Sequence, residues 1–218
     1  INDNRELFFA SGRDDVAGLL ARYEHHFGPL PRSRALDHGC GTGRLTLPLA
    51  AQFGEVVALD VAPAMLAEAA SNVAEAGAAN IRLALADDGL SHAEGTFDFV
   101  NSHLVLQHVP VRRGLRIVDA LINRVAPGGG FQISVSVRTD RGARRGLYWA
   151  SANIPGVKIW QNVFAGRKWN APAMQMNDYP LGKIVGRLAA RGITQLLVSV
   201  APQERFATCS ITGRSPAE

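Results

Sequence analysis

Residues 35–50, ALDHGCGTGRLTLPLA, constrain this chain more than any other stretch. Two apolar residues (Ala35, Leu36) run into Asp37, glycines stand at 39, 41 and 43, and an amphipathic segment follows. That order predicts a buried strand, a tight glycine turn and a helix N-terminus, which lets backbone come close to a bound ligand. Seventeen residues past Gly43 a second apolar run, EVVALD, ends in Asp60. An acidic side chain there can accept hydrogen bonds from ribose hydroxyls. The pair of features describes a site for a nucleoside-containing cofactor.

Glycine spacing separates the cofactor classes. A dinucleotide fingerprint, G-x-G-x-x-G, counted from Gly39 would need a third glycine at position 44, where the chain has Arg44. A nicotinamide dehydrogenase fails on that residue. The glycines run G-x-G-x-G instead, and with LDHGCGTG in place the sequence resembles the class I S-adenosylmethionine-dependent methyltransferases. The resemblance continues in order through VVALDVAPAM (56–65), RLALADDGL (82–90), FDFVNSHLVLQHVP (97–110) and VAPGGGFQISV (125–135). It covers roughly residues 34–137.

Hydropathy patterning supports the same architecture independently. Apolar runs near 34–37, 55–60, 81–84, 97–102 and 130–137 alternate with helical periodicities near 43–53, 63–76 and 112–125. Such βαβ alternation predicts an α/β fold, a parallel sheet covered on both faces. Pro63 suits a first helical turn and Gly77 a C-terminal stop. Residues 181–191 read as a further helix, and ITQLLVSV and ERFATCSITGR as two closing strands. The resemblance implies the complete form: a doubly wound, Rossmann-like sheet of seven strands in the order 3-2-1-4-5-7-6, its last strand antiparallel.

The length of 218 residues suits one domain, 1–218. Two regions fall outside the core pattern. Residues 1–31 carry a helix near 14–26 and, by the resemblance, form a lid over the cofactor. Residues 140–179 hold Tyr148, Trp149, Trp160, Phe164 and Trp169; a connection that long calls for a role, read here as a substrate cap or a dimerisation element.

The resemblance also implies roles for single residues. Gly39, Cys40, Gly41 and Gly43 would carry the methionine end of S-adenosylmethionine, with Asp37 orienting its amino group. Asp60 would hold the ribose hydroxyls, and Val61 and Met65 would flank the adenine. Asp87 would meet the adenine amino group and the backbone N–H of Asp88 a ring nitrogen. Plainer readings stand beside two of these: Asp60 as an N-cap before Pro63, and Asp87 as a turn former. Asn101, Ser102 and His103 would border the reactive methyl group, and the product would be S-adenosylhomocysteine.

The acceptor is read from what the fourth motif holds and lacks. Asn101-Ser102-His103-Leu104 is not the Asn/Asp-Pro-Pro-aromatic run of amino-methylating nucleic-acid enzymes. Neither Cys40 nor Cys209 stands at a nucleophile motif, and no arginine-methyltransferase glutamate pair or catechol-type magnesium cluster is present. His103 and His108 are the candidate catalytic bases, since imidazole titrates near neutrality, with packing and hydrogen bonding the plainer alternative for each. Tyr148 and Tyr179 are weaker candidates. No set of His, Cys and carboxylates has metal-ligand spacing, so no metal is expected.

Charge narrows the partner. Residues 1–111 hold 7 Lys+Arg against 14 Asp+Glu, giving −7, while residues 112–191 hold 14 against 3, giving +11. A basic block attracts an anionic substrate or a nucleic acid, or is simply a solvated face. Arg138, Arg141, Arg144 and Arg145 point to a phosphate or carboxylate on the acceptor. No apolar run of eighteen residues predicts a membrane span, and two cysteines in separate elements suit a reduced, cytoplasmic protein. The expectation is methyl transfer, by preference to oxygen, onto a small, anionic metabolite or a glycan, by a monomer or homodimer. The rivals are an RNA methyltransferase and a non-catalytic S-adenosylmethionine-binding module.

Overall fold

β1 (Arg34–His38) and β2 (Glu55–Asp60) are buried almost throughout, which forces helices onto both sides of the sheet that contains them. The computed structural model describes residues 2–138, 176–202 and 206–217. β3 (Ile81–Leu85), β4 (Phe97–Ser102) and β5 (Val125–Arg138) run parallel to the first two strands. β6 (Leu196–Pro202) and β7 (Phe206–Arg214) complete the sheet, β7 antiparallel to both its neighbours. The strand order is β3-β2-β1-β4-β5-β7-β6, the Rossmann-like order expected.

Two apolar layers flank the sheet. On one face Val16, Leu19, Leu20 and Tyr23 of α1 (Asn2–Phe27) pack with Leu45, Phe53 and Leu49 of α2 (Thr46–Ala50) against Ala35, Val56 and Phe99. On the other, Leu115, Val118 and Leu121 of α4 (Val111–Ile122) join Ile184 and Leu188 of α5 (Leu181–Ala189) over Leu36, Val57, Val100 and Ile133. Two glycines are set by these contacts. A Cβ on Gly130 would come 2.4 Å from the Tyr23 ring, and one on Gly114 would come 1.8 Å from the Tyr179 hydroxyl. Both aromatics are buried because the opposing residue has no side chain.

Element boundaries depart from the sequence reading for local reasons. The helix expected over 43–53 is helical only at Thr46–Ala50, because Gly43 sits at φ +92° and residues 41–45 remain a turn. The helix expected over 112–125 ends at Ile122, since Val125 is already paired with Phe97. β5 therefore starts before its glycines, with an irregular register between Phe97 and Phe99. α3 (Pro63–Glu75) has Pro at its start, and Gly77 follows it at φ +64°, as predicted. α1 is twice the length expected. Of the insertion over 140–179, residues 140–175, including Tyr148, Trp149, Trp160, Phe164, Trp169, Arg141, Arg144 and Arg145, lie outside the described residues, as does the side chain of Arg138.

Candidate active site

At the C-terminal ends of β1 and β4 the chain opens a cleft of about 190 Å³, whose lining includes Phe8, Asp37, Cys40, Gly41, Arg44 and His103. Parallel strands place their loops at one end, which is where α/β sheets hold ligands. Gly39 begins the turn at φ +74°, and a Cβ there would meet Val105 Cγ2 at 2.2 Å. Gly41, at φ +55°, has no atom within 4 Å of where its Cβ would stand. The first glycine is needed for the fold of the turn, whereas the second leaves free space beside the backbone.

Asp37 is buried under this turn. It accepts hydrogen bonds from Thr46 Oγ1 at 2.7 Å and from Asn101 Nδ2 at 2.9 Å. Burial pushes its carboxyl pKa up, and the hydrogen bonds from Thr46 and Asn101 oppose that. Asn101 Oδ1, beside it, is buried and has no hydrogen-bond partner among the described residues. A buried acceptor left without a partner beside Asp37, which does line the cleft, fits an amine or another donor from a ligand. Cys40 is buried, and burial raises its thiol pKa, so it acts as an apolar wall rather than a nucleophile.

Asp60 occupies the other end of the site. One carboxylate oxygen accepts from the Gly41 N–H and the other from the Ala62 N–H, both at 2.9 Å. The helix that follows is capped by Ala62 with no side-chain bond, so Asp60 is not its N-cap. A carboxylate oxygen accepts more than one bond, which leaves lone pairs for a diol. Around it Val61, Met65 and Leu85 are exposed, at 67%, 38% and 48%. Three large apolar side chains in water at the strand ends suit a flat, apolar ligand surface.

The remaining predicted residues are more dispersed. Asp87 is exposed and committed to Ser91, whose N–H and hydroxyl both donate to it and hold its pKa down. Asp88 pairs with Arg113 at 2.7 Å and Arg116 at 3.6 Å. Ser102 is buried, its hydroxyl 3.1 Å from His38 Nδ1. His103 lines the cleft, with Gln132 Nε2 and Ser134 Oγ each 3.3 Å from its Nδ1. His108 is exposed and absent from the cleft lining; Gln107 Nε2 donates to its Nε2 at 3.2 Å. Tyr179 is a core residue whose hydroxyl donates to the Val109 carbonyl at 2.8 Å, with its pKa raised to about 12 by burial.

Several participants escaped the sequence reading. Phe8 and Arg44 close the cleft from the side of α1, where Arg44 pairs with Asp15 at 2.6 Å and lies 5.8 Å from the Phe8 ring centre. Leu104, which follows His103, adopts φ +58°, a conformation costly for a branched side chain and found most often at working sites. His38 is buried next to the turn, and burial lowers its pKa to about 4. The alternation QISVS in β5 was the available signal for Gln132 and Ser134. Among the described residues no cluster of His, Cys, Asp and Glu could hold a metal ion, and no helix is long and apolar enough to cross a membrane.

The chain is similar to known methyltransferases in sequence and in fold. A family model described as a methyltransferase domain matches residues 35–129. The chain is 36% identical over 112 residues to the ubiquinone biosynthesis O-methyltransferase of Xylella fastidiosa (strain 9a5c), covering 51% of this chain and 45% of that protein. It is 37% identical over 156 residues to the trans-aconitate 2-methyltransferase of Methylobacterium radiotolerans, covering 70% of this chain and 55% of the relative. The chain thus spans about half the length of the curated relatives it matches. Its fold is similar to that of the Synechocystis PCC 6803 magnesium protoporphyrin IX methyltransferase with bound SAH, at a TM-score of 0.65 and 18% identity, covering 95% of this chain and 85% of that one.

Proposed function

The chain belongs to the class I S-adenosylmethionine-dependent methyltransferase superfamily, and on that premise we propose that it binds S-adenosylmethionine and methylates a small metabolite. One observation carries the reading: the glycine turn that lines the cleft is flanked by buried Asp37, with the Asn101 Oδ1 acceptor beside it, and by Asp60, whose carboxylate accepts from the Gly41 N–H of that turn and keeps spare lone pairs. The cofactor supplies a methyl group already activated on a sulfonium. The protein's task is then placement and exclusion of water. Asp37 and Asn101 receive the amino group, the turn 39–43 lets the methionine end lie against backbone, and Asp60 accepts from the ribose hydroxyls. Val61, Met65 and Leu85 cover one face of the adenine. His103 stands at the acceptor side, residues 1–31 are the lid over the cofactor, and residues 140–179 serve as substrate cap or dimerisation element.

Transfer to oxygen on an anionic acceptor is the finer reading. It is supported by the basic composition of residues 112–191 and by relatives whose names specify an O-methyltransferase and trans-aconitate as acceptor. The same basic block favours RNA as a second reading. Against it, Arg113 and Arg116 are paired with Asp88, and Arg187 and Arg191 with Asp119, which spends part of that charge internally. Calorimetry with S-adenosylmethionine, then incubation of methyl-labelled cofactor with fractionated cell extract, tests all of this. Binding with label in the small-molecule fraction supports the reading, and nuclease-sensitive label replaces it with the RNA enzyme. Binding without transfer to any fraction makes the chain a cofactor-binding module.

A further inference from the structure

Resting on that reading, we propose that His103 does not remove a proton from the acceptor: Gln132 holds it as a neutral Nε2–H donor, so the acceptor must arrive with its nucleophilic oxygen already ionised. An amide nitrogen donates and cannot accept. With Gln132 Nε2 at 3.3 Å from His103 Nδ1, the ring nitrogen must present its lone pair, and in a neutral imidazole the proton then sits on Nε2. Ser134 Oγ, also 3.3 Å from Nδ1, can donate to the same lone pair, and it is in turn 3.0 Å from Ser210 Oγ. Gln132 and Ser134 are buried on the interior strand β5, so the sheet fixes the two partners, and His103 directly follows β4.

A second protonation would place an N–H opposite the Gln132 amide donor. The imidazolium is opposed further by burial and by the Arg44 guanidinium, with Asp15 acting weakly the other way. His103 is therefore neutral and its free nitrogen carries hydrogen. It can bind an acceptor oxygen and cannot take a proton from it. The other titratable groups lining the cleft, among the described residues, do not replace it. Asp37 lies buried under the turn and is assigned to the cofactor's amino group, burial raises the Cys40 thiol, and Arg44 is permanently cationic.

This selects a chemical class. A carboxylate is ionised at neutral pH. Its oxygen lone pair forms the new C–O bond as the C–S bond breaks and that electron pair returns to sulfur. The sulfonium becomes a neutral thioether, the carboxylate a neutral ester, and no proton is left to remove. A phenol or an alcohol would leave one. Gln132 and Ser134 are positioning residues in this scheme, and His103 Nε2–H is the group that meets the acceptor.

Long-range ¹⁵N–¹H correlation spectra of ¹⁵N-histidine-labelled protein, with and without S-adenosylhomocysteine, read the tautomer directly; His103→Gln assigns the signals. The expected result is a pyrrole-type Nε2 and a pyridine-type Nδ1 across pH 6 to 8. A proton on Nδ1, which a reversed Gln132 amide would produce, or a doubly protonated ring at pH 7, overturns the proposal. Gln132→Glu should invert the tautomer and raise the pKa of His103. Should that variant not fold, Gln132→Met should give a mixture of tautomers, and an unchanged Nε2–H signal in it removes Gln132 from its assigned role. Calorimetry on the same wild-type sample separates the two failures. Absent S-adenosylmethionine binding sinks the functional reading, whereas an Nδ1–H tautomer with intact binding sinks only this one.

Discussion

The two ends of the cleft are built in opposite ways. At the glycine-turn end, Asp37, Cys40 and Asn101 are buried, Gly39 is locked against Val105, and Phe8 of α1 closes the side together with Arg44 of the turn. At the Asp60 end the acid is fixed by two backbone bonds, but Val61, Met65 and Leu85 around it stand in water. The first end is part of the folding core and exists without a ligand. The second is a fixed carboxylate in an apolar surface that only a ligand would cover. Damage to the first should therefore register as lost stability, and damage to the second as lost affinity.

Gly39→Ala should break the enclosed end most severely. The added methyl group meets Val105, and the residue is held at positive φ. Strain of about 1–2 kcal/mol adds to an overpacking cost of about 1–3 kcal/mol. Thermal melting should show a large drop in midpoint, and cofactor binding should vanish with it. A variant that melts like the wild type would place the turn outside the core and end the contrast.

The buried His38 makes the same end sensitive to acid. Its folded pKa, about 4, lies below the ordinary value of 6.5. On acidification the unfolded chain takes up this proton first, so the stability is present above pH 6.5 and is lost as pH falls towards 4. The full window corresponds to about 3 kcal/mol, of which about 2 kcal/mol goes between pH 6.5 and 5. Denaturant midpoints of wild type and His38→Gln at pH 7 and pH 5 isolate the effect. Equal pH dependence in the two proteins would contradict it.

Asp60→Ala tests the open end, and there the readout should switch. Removing a charged acceptor of two ribose hydroxyls costs roughly tenfold or more in S-adenosylmethionine affinity by calorimetry, since such bonds are worth about 1.5–3 kcal/mol each. Unchanged affinity would sink the ribose assignment. Met65→Ser is the mildest probe: a few-fold loss of affinity, about 1 kcal/mol or less for partial apolar cover, with the melting midpoint unmoved. A fall in midpoint without loss of affinity would mean that Met65 serves the fold alone.

How much of this was legible in the sequence follows the same division. The turn at 39–43 and Asp60 could be read because glycine at positive φ and an acid at a strand end leave a local signature. The strand order followed from motif sequence and alternation. α1 was only half visible, since its first turns are polar and its contact with the glycine turn (a Gly12 Cβ would lie 2.2 Å from the Arg44 carbonyl oxygen) is tertiary. β5 was started too late because its glycines read as a loop. Gln132, Ser134 and Ser136 are polar and buried all the same: an interior strand is covered on both sides whatever its alternation says. The partners of His38 and His103 lie 64 and about 30 residues away in sequence, so the pairings themselves are tertiary even where the alternation QISVS marks the residues.

The position of β7 reaches beyond the site to how the molecule is made. Among the described residues β6 is paired to β7 alone, and β5 waits for it across a long interval, Arg138 meeting Phe206. A ribosome therefore finishes the cofactor motifs and β5 well before it supplies the strand that seals them. Until residues 206–214 emerge, β5 offers an open hydrogen-bonding edge and β6 has no neighbour, a period in which the nascent chain is exposed to wrong pairing. Translation speed over the segment between β5 and β7 should therefore matter more to the yield of this protein than speed over the motifs that define its family.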